Sequence, residues 1–248
     1  MEISSEWFRD WFDSPYYHKL YFEHNEQEAT TFISRLLDAL RPPAGSLMLD
    51  VACGRGRHSR ILSEKGFDVT GIDLAADSIA LARQYENAHL HFYLHDMRSP
   101  VRVNYFAYAF NFFTSFGYFR TEREHDNTIR AVSQSLVNRG IFVLDYLNVR
   151  YSEDRLVPQS TKTIGGTVYH LTKWNDKKHF YKKIHIEDSA LEAPLEFTEK
   201  VAKYSLEDFT AMFSRHGLKM RNVYGDYGLA PYERQASPRL LMIAQKEI

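Results

Sequence analysis

The chain has 248 residues, 31 Lys and Arg against 32 Asp and Glu for a formal net charge of −1, and an unusual 15% of aromatic residues (17 Phe, 16 Tyr, 3 Trp). At about 150 residues per domain this is one large domain or one domain with an insertion, and its 44% hydrophobic and 25% charged residues exclude disordered, collagen-like and coiled-coil classes. Near-neutral charge gives no global field for a polyanion, so no nucleic-acid partner is expected. The single cysteine, Cys53, excludes an intramolecular disulfide and a thiolate zinc site, and fits a reducing, cytoplasmic compartment.

The amino-terminal MEISSEWFRDWFD is acidic and broken by charges, unlike a secretory leader. Tyr105–Phe119, the longest apolar-looking stretch, is too short and polar for the roughly 20 residues that cross a bilayer, so no membrane is expected. Ala29, Phe32, Ile33, Leu36, Leu37 and Leu40 repeat at helical spacing over Glu28–Leu40, and Pro42 and Pro43 end that helix. Leu47–Ala52 reads as a buried strand, followed by a Gly-containing turn and a helix from Arg57 to Lys65 that stops at Gly66. Phe67–Asp73 is a strand, Asp77 or Ser78 caps a helix through Tyr85, and Leu90–His95 is a strand. Asn104–Asn111 follows as the fourth strand. Thr121 with Glu124 offers a capping box for a helix through Asn138, and Gly140–Leu147 is the fifth strand. Strands alternating with helices at this interval imply βαβ units and a parallel sheet covered on both faces.

After Asn148 the pattern changes to strands at Thr167–Trp174 and His179–Ile186 around an Asn175–Lys178 turn, with a third at Phe197–Tyr204. Helix signals resume with a second capping box, Ser205 and Asp208, and end at Gly217. Strands at Leu218–Tyr224 and Arg239–Gln245 close the chain.

The chemistry gathers at LDVACGRGRHS, Leu49–Ser59. Gly54 and Gly56 allow a tight turn and close approach of a ligand to the backbone, and the helix behind them presents unpaired amides. Seventeen residues after Gly56 comes Asp73, at the end of the second strand, where a carboxylate accepts hydrogen bonds from ribose hydroxyls. A nucleoside cofactor follows. A dinucleotide fingerprint is imperfect, because its third glycine is Ser59. Asp50, four residues before Gly54, would repel a pyrophosphate and suits a cationic amino-acid end and sulfonium. Its plainer roles would be to cap the helix or pair with Arg57.

In these residues the chain resembles the class I S-adenosylmethionine-dependent methyltransferases, over most of its length. Asp50, Ala52, Gly54 and Gly56 match D-x-[GA]-x-G-x-G, Asp73 matches the ribose carboxylate, and Asp96 with Met97 in HDMR matches the acidic residue that meets the adenine amino group. Asn111–Phe119 looks like the segment lining the methionine moiety and the substrate. The resemblance implies a Rossmann-like α/β fold, a seven-stranded methyltransferase sheet with helices on both faces plus an antiparallel β insertion after strand 5. It also implies S-adenosylmethionine as cofactor and S-adenosylhomocysteine as product. The implied cofactor-binding set is Asp50, Ala52, Cys53, Gly54, Gly56, His58, Asp73, Leu74, Asp96, Met97, Asn111 and Phe112. Ala52 stands where the commonest form has Gly, and an Asn-Pro-Pro-Tyr motif is missing after Asn111, which counts against methylation of adenine or glutamine amides.

The implied organisation is one domain, 1–248: an N-terminal helical lid (1–45), the cofactor core (46–148), the β insertion (149–204) and the closing helix with two strands (205–248). Tyr17, Tyr21, Tyr118 and Asn148 are candidates for substrate or lid contact, and the aromatics of Trp7–Phe22, Tyr105–Phe119 and the insertion are expected to surround one pocket. Cys53 is read as a small buried residue. His170, His179 and His185 are read as exposed or interstrand, with service as a base the alternative, and Tyr232 and Arg239, in or beside the loop before the last strand, as groups in a surface salt bridge, with reach to an anionic substrate the alternative. No residue is assigned as catalytic base. The expected function is methyl transfer to N or O of a small molecule, with a homodimer through the insertion possible. The alternatives are an NAD(P)-dependent reductase or a non-catalytic S-adenosylmethionine-binding module. The insertion resembles that of small-molecule N-methyltransferases, including those acting on amino groups of nucleotide-linked sugars.

Overall fold

A computed structural model describes residues 7–21 and 26–248. The expected lid is therefore described only in part, and Phe22 lies outside the described residues. Helices α1 (Trp7–Phe12), α2 (Pro15–Tyr21) and α3 (Glu26–Leu40) come first. The alternating units follow as β1 (Leu47–Val51), α4 (Arg57–Glu64), β2 (Asp68–Asp73), α5 (Ala76–Ala82), β3 (Leu90–Leu94), β4 (Phe106–Asn111), α6 (Glu122–Ser135) and β5 (Leu136–Leu147). Then come α7 (Val149–Asp154), β6 (Gln159–Ile164), β7 (Thr167–Asn175), β8 (His179–Glu187), β9 (Leu195–Ala202), α8 (Leu206–Arg215), β10 (Leu218–Tyr224) and β11 (Arg239–Lys246).

One sheet has the order β10-β11-β5-β4-β1-β2-β3. All neighbours are parallel except β11, which is antiparallel to β10 and β5. The chain lays β1 to β3 outward on one side, then crosses to place β4 and β5 on the other. This makes the β1/β4 boundary a switch point where a cleft opens beyond the carboxyl ends of the strands. The two faces bury separate cores, with Phe116, Ile129, Phe142, Phe209 and Phe213 on one side and Phe32, Ile33, Leu62, Phe92 and Phe110 on the other.

The second sheet, β6-β7-β8-β9, is an antiparallel meander. Its face packs on α1 and α2 through Trp11, Leu20, Tyr169, Leu171, Ile184 and Ile186. Among the described residues no helix is long and apolar enough to cross a membrane.

Both capping boxes form as expected, at Thr121/Glu124 and Ser205/Asp208. Three expectations differ. Neither Asp77 nor Ser78 caps α5, whose N-cap is Ala75 without a side-chain bond, and Arg83–Tyr85 is a separate 3-10 turn. Strand β5 begins at Leu136 rather than Gly140, because α6 ends earlier, with Leu136 already extended as its C-cap. The short α7 and the edge strand β6 were not foreseen; β6 exposes most of QSTKTI, so no buried face wrote an alternation into its sequence.

Candidate active site

The turn after β1 is built on left-handed backbone. Ala52 (φ 60°), Gly54 (φ 55°) and Gly56 (φ 78°) all occupy that region. For Ala52 this costs about 1 kcal/mol, strain of the kind that collects at functional sites. A Cβ on Gly54 would meet nothing within 4 Å, whereas one on Gly56 would lie 2.5 Å from Phe92 Cζ. Glycine at 56 is thus required by packing, and at 54 it leaves open space above the turn.

Asp50, at the end of β1, is 1% exposed and accepts a 2.6 Å hydrogen bond from Ser59 Oγ. Burial pushes its pKa up to about 7 against the pull of that bond, and the nearby Asp73 charge raises it further. The N-cap of α4 is Gly56, with no side-chain bond of its own, and Asp50 meets the first turn instead through the side chain and the amide of Ser59. Asp73 accepts from Gly54 N at 2.7 Å and from Ala75 N at 2.9 Å, so it fastens the glycine turn to the end of β2. Burial raises its pKa, opposed by these amides. Cys53 is buried, and burial followed by the charge of Asp50 pushes its thiol well up, as suits a packing residue rather than a nucleophile.

His58, in the first turn of α4, is 8% exposed and stacks on Phe113 with ring centroids 5.1 Å apart. Burial, then the Arg57 charge, lowers its pKa to about 3, so the ring is neutral. Its Nε2 is buried without a hydrogen-bond partner, as is Asn111 Oδ1, whose Nδ2 donates to Val51 O at 2.9 Å. Two orphaned buried polar atoms flank the end of β1 and call for a polar ligand. Phe112 is buried in the α3/α4 core.

The loop after β4 is strained too, with Phe113 (φ 57°) and Thr114 (φ 59°) both left-handed. Asp145 on β5, fully buried, holds it in place. Its Oδ2 accepts from Phe113 N at 2.8 Å and from the Tyr227 hydroxyl at 2.9 Å, and its Oδ1 pairs with Arg239, which also reaches Thr114 Oγ1 at 2.8 Å. Arg239 is therefore a half-buried anchor of this loop, paired with a fully buried Asp145, not a surface salt bridge.

Beyond β2, Leu74 lines a cavity of about 380 Å³ with Asp10, Asp13, Ala76 and Leu94. Asp96 gives both carboxylate oxygens to Arg98, at 2.6 to 3.0 Å, and Arg98 bridges on to Glu124 at 2.7 Å. Burial works to raise the Asp96 pKa, and the Arg98 bonds overcome it. Met97 is half-buried against the core on the α6/α8 face.

Tyr17, Tyr21 and Tyr118 come together with Phe12. Ring centroids are 4.9 Å apart for Tyr17 and Tyr21, 4.9 Å for Phe12 and Tyr17, and 5.1 Å for Phe12 and Tyr118. The cluster rests on Glu199 of β9, which accepts from Tyr21 Oη at 2.6 Å and from Trp11 Nε1 at 2.7 Å. Lys182 of β8 lies 3.8 Å from Glu199 and donates to the Tyr21 hydroxyl. Burial first, with Glu199 adding, holds the Tyr21 and Tyr118 phenols well above their ordinary values. Asn148 is placed elsewhere in function. Its Nδ2 donates to Arg234 O and Ser237 O at 2.9 and 2.7 Å and its Oδ1 accepts from Tyr232, so its side chain is spent on the loop before β11.

His170 and His185 pair across exposed faces of β7 and β8, as read from the sequence. The sequence reading missed Asp145 and Glu199. A signal existed for each, an acid inside the apolar run FVLDYL and an acid in phase with Phe197 and Val201.

The sequence pattern of a family described as a methyltransferase domain matches residues 21–223. The dTDP-3-amino-3,4,6-trideoxy-alpha-D-glucopyranose N,N-dimethyltransferase of Streptomyces venezuelae is 31% identical over 106 residues, covering 42% of this chain and 44% of that protein. The chain spans about half the length of the curated relatives it matches. In three dimensions it is similar to an S-adenosylmethionine-dependent methyltransferase from Clostridium acetobutylicum ATCC 824, with TM-score 0.79, 16% identity and coverage of 94% and 97% of the two chains. It is also similar to the sugar N-methyltransferase KedS8 from Streptoalloteichus, with TM-score 0.72, 20% identity and coverage of 93% of each. At these identities the likeness is one of fold.

Proposed function

Because the chain belongs to the methyltransferase-domain family, we propose that it transfers a methyl group from S-adenosylmethionine to a nitrogen or oxygen of a small-molecule acceptor. The observation that carries this is the glycine turn between two buried carboxylates, Asp50 and Asp73, flanked by the orphaned His58 Nε2 and Asn111 Oδ1. Donors and acceptors left unmade there fit a ligand with a cationic amino-acid end and a ribose. Asp73 takes the amides of Gly54, Ala75 and Leu74 on its two oxygens, and a carboxylate's roughly four lone-pair sites leave room for a ribose hydroxyl. Asp50 faces the ammonium end, and Ala52, Cys53, Gly54 and Gly56 give backbone approach. His58, Asn111 and Phe112 border the methionine portion, and Leu74 and Met97 border the adenine. Asp96, with both oxygens on Arg98, is the least free acceptor of the set.

When bound, S-adenosylmethionine supplies a methyl group made electrophilic by its sulfonium. The chain contributes position and exclusion of water. Tyr17 and Tyr21 of the N-terminal lid, with Tyr118 in the loop after β4, wall the acceptor side, and their raised phenol pKa values keep them neutral. Asp145 and Arg239 fix the Phe113–Thr114 loop at the border of both ligands. An amine acceptor that arrives deprotonated needs no strong base. The sugar N-methyltransferase likenesses support nitrogen as the acceptor atom. The reading places the enzyme in the cytoplasm, and a homodimer would form through the second sheet.

Calorimetry with S-adenosylhomocysteine tests it. The wild type should bind, and Asp73→Ala should weaken binding at least tenfold, since it removes the ribose acceptor and unfastens the turn. Absence of heat with the wild type overturns the proposal, and saturable NADH binding in its place would restore the reductase alternative.

A further inference from the structure

A cavity of about 370 Å³ lies between Leu147 and Arg239 at the ends of β5 and β11, helix α7 and the second sheet. Four cations, Arg155, Lys173, Lys182 and Arg239, line it against one carboxylate, Glu199. Two of the four are already matched. Arg239 pairs with Asp145 at 2.8 Å, and Lys182 shares Glu199 at 3.8 Å. Burial lowers the Lys182 pKa, Glu199 restores part of it, and the charges of Lys173 and Lys162 lower it again, as expected for crowded cations.

Lys173 and Arg155 are left over. Among the described residues neither has a carboxylate within ion-pair distance, and the Arg155 guanidinium rests 4.1 Å from the Tyr151 ring. Lys173 N donates to Pro158 O at 2.7 Å, which keeps the chain after Arg155 beside β7. Apolar walls such as Phe180 and Val201 sharpen the positive field between these charges. The cavity also has a direction. Its Arg239 end reaches Thr114 in the strained loop, and its Glu199 end touches Tyr21. Arg155 is exposed, and Val157 beside it is 57% exposed, so that end meets solvent.

We infer that this cavity holds the methyl acceptor by an anionic group, a phosphate or a carboxylate, between Lys173 and Arg155, leaving the reacting atom toward Tyr21 and Thr114. The assignment of this ligand as the acceptor rests on the methyl-transfer reading above. Such an anchor fixes the acceptor at a point remote from the reaction, where binding energy converts into orientation.

The experiment titrates the full chain, with and without saturating S-adenosylhomocysteine, with inorganic pyrophosphate in one arm and succinate in the other. One anion should bind at a single site per chain, and the arm that responds names the group. The double variant Lys173→Gln/Arg155→Gln should weaken it at least tenfold. Lys173→Arg should restore most of the loss, and S-adenosylhomocysteine affinity should stay unchanged, which also reports an intact fold. No saturable binding of either anion to the wild type, or equal binding to the double variant, overturns the inference. Homocysteine-analogue binding without anion binding sinks this inference alone, whereas anion binding without homocysteine-analogue binding sinks the methyl-transfer reading.

Discussion

Asp50 carries a protonation equilibrium that ties stability to cofactor binding. Its pKa rises from the ordinary 3.8 to about 7 in the folded chain, so between those values the folded state holds a proton that the unfolded state has lost. Stability therefore falls as pH rises through that window and is lowest, by this group, above pH 7. The full effect is of order 4 kcal/mol. Urea unfolding at pH 5 and pH 7.5 should show Asp50→Asn flattening the wild-type decline. The same group makes a second prediction. An ammonium beside Asp50 favours the carboxylate, so cofactor-product binding at pH 7 should release about half a proton, read by calorimetry in buffers of different ionisation enthalpy. Release that persists in Asp50→Asn would assign the proton elsewhere. Asp50, Gly54, Gly56 and Asp73 were legible in the sequence because a left-handed turn and a strand-end acid constrain residue type within a few positions. Asp145 and Glu199 were not, because their meaning lies in partners 94 and 188 residues away.

Elements were read most accurately where a local hydrogen bond fixes their ends. The capping boxes at Thr121 and Ser205 begin α6 and α8 where sequence placed them. Thr121→Ala should lower stability by about 1 kcal/mol, measured as a shift in urea midpoint at constant slope. The glycines provide a sharper comparison. Gly66, past the end of α4 at φ 89°, has open space around it, so Gly66→Ala should cost only the left-handed backbone, about 1 kcal/mol. Gly56→Ala adds a contact with Phe92 at 2.5 Å and should cost clearly more. Equal midpoints for the two alanine variants would show that the α4 start relaxes freely. Where no such bond exists the reading slipped, as at α5, which begins from Ala75 uncapped, and at β6, exposed along most of its length.

At the scale of the molecule, the N-terminal helices are held to the second sheet by apolar packing, by Lys19 on Gly165 and Thr167, and by one buried acid, Glu199. Glu199 accepts from Trp11 and Tyr21 and faces Lys182, so Glu199→Ala leaves two buried donors and a cation unmatched. Amide exchange over residues 7–21 should quicken at least tenfold in that variant, with β1 to β5 unchanged; unaltered protection there would remove Glu199 as the latch. The aromatic surplus divides in the same way. Trp7, Phe12, Tyr17, Tyr21 and Tyr118 pack on one another beside the second sheet, whereas Phe106, Phe110, Phe142 and Phe209 fill the two cores of the large sheet. The 15% of aromatics thus divides between the cores of the large sheet and the packing of the N-terminal helices on the second sheet.

The sequence by itself determined the alternation of strands and helices from β1 to β5, the glycine turn with its carboxylates, and the antiparallel character of the insertion, because periodicity, backbone φ and helix caps are each encoded within a few neighbouring residues. Only the tertiary structure decided that Arg239 is a half-buried anchor, that Asn148 holds a loop, and that Lys173 and Arg155 face a shared cavity. Those facts depend on strand order and on which distant side chains burial leaves with or without an opposite charge, and no local pattern records them.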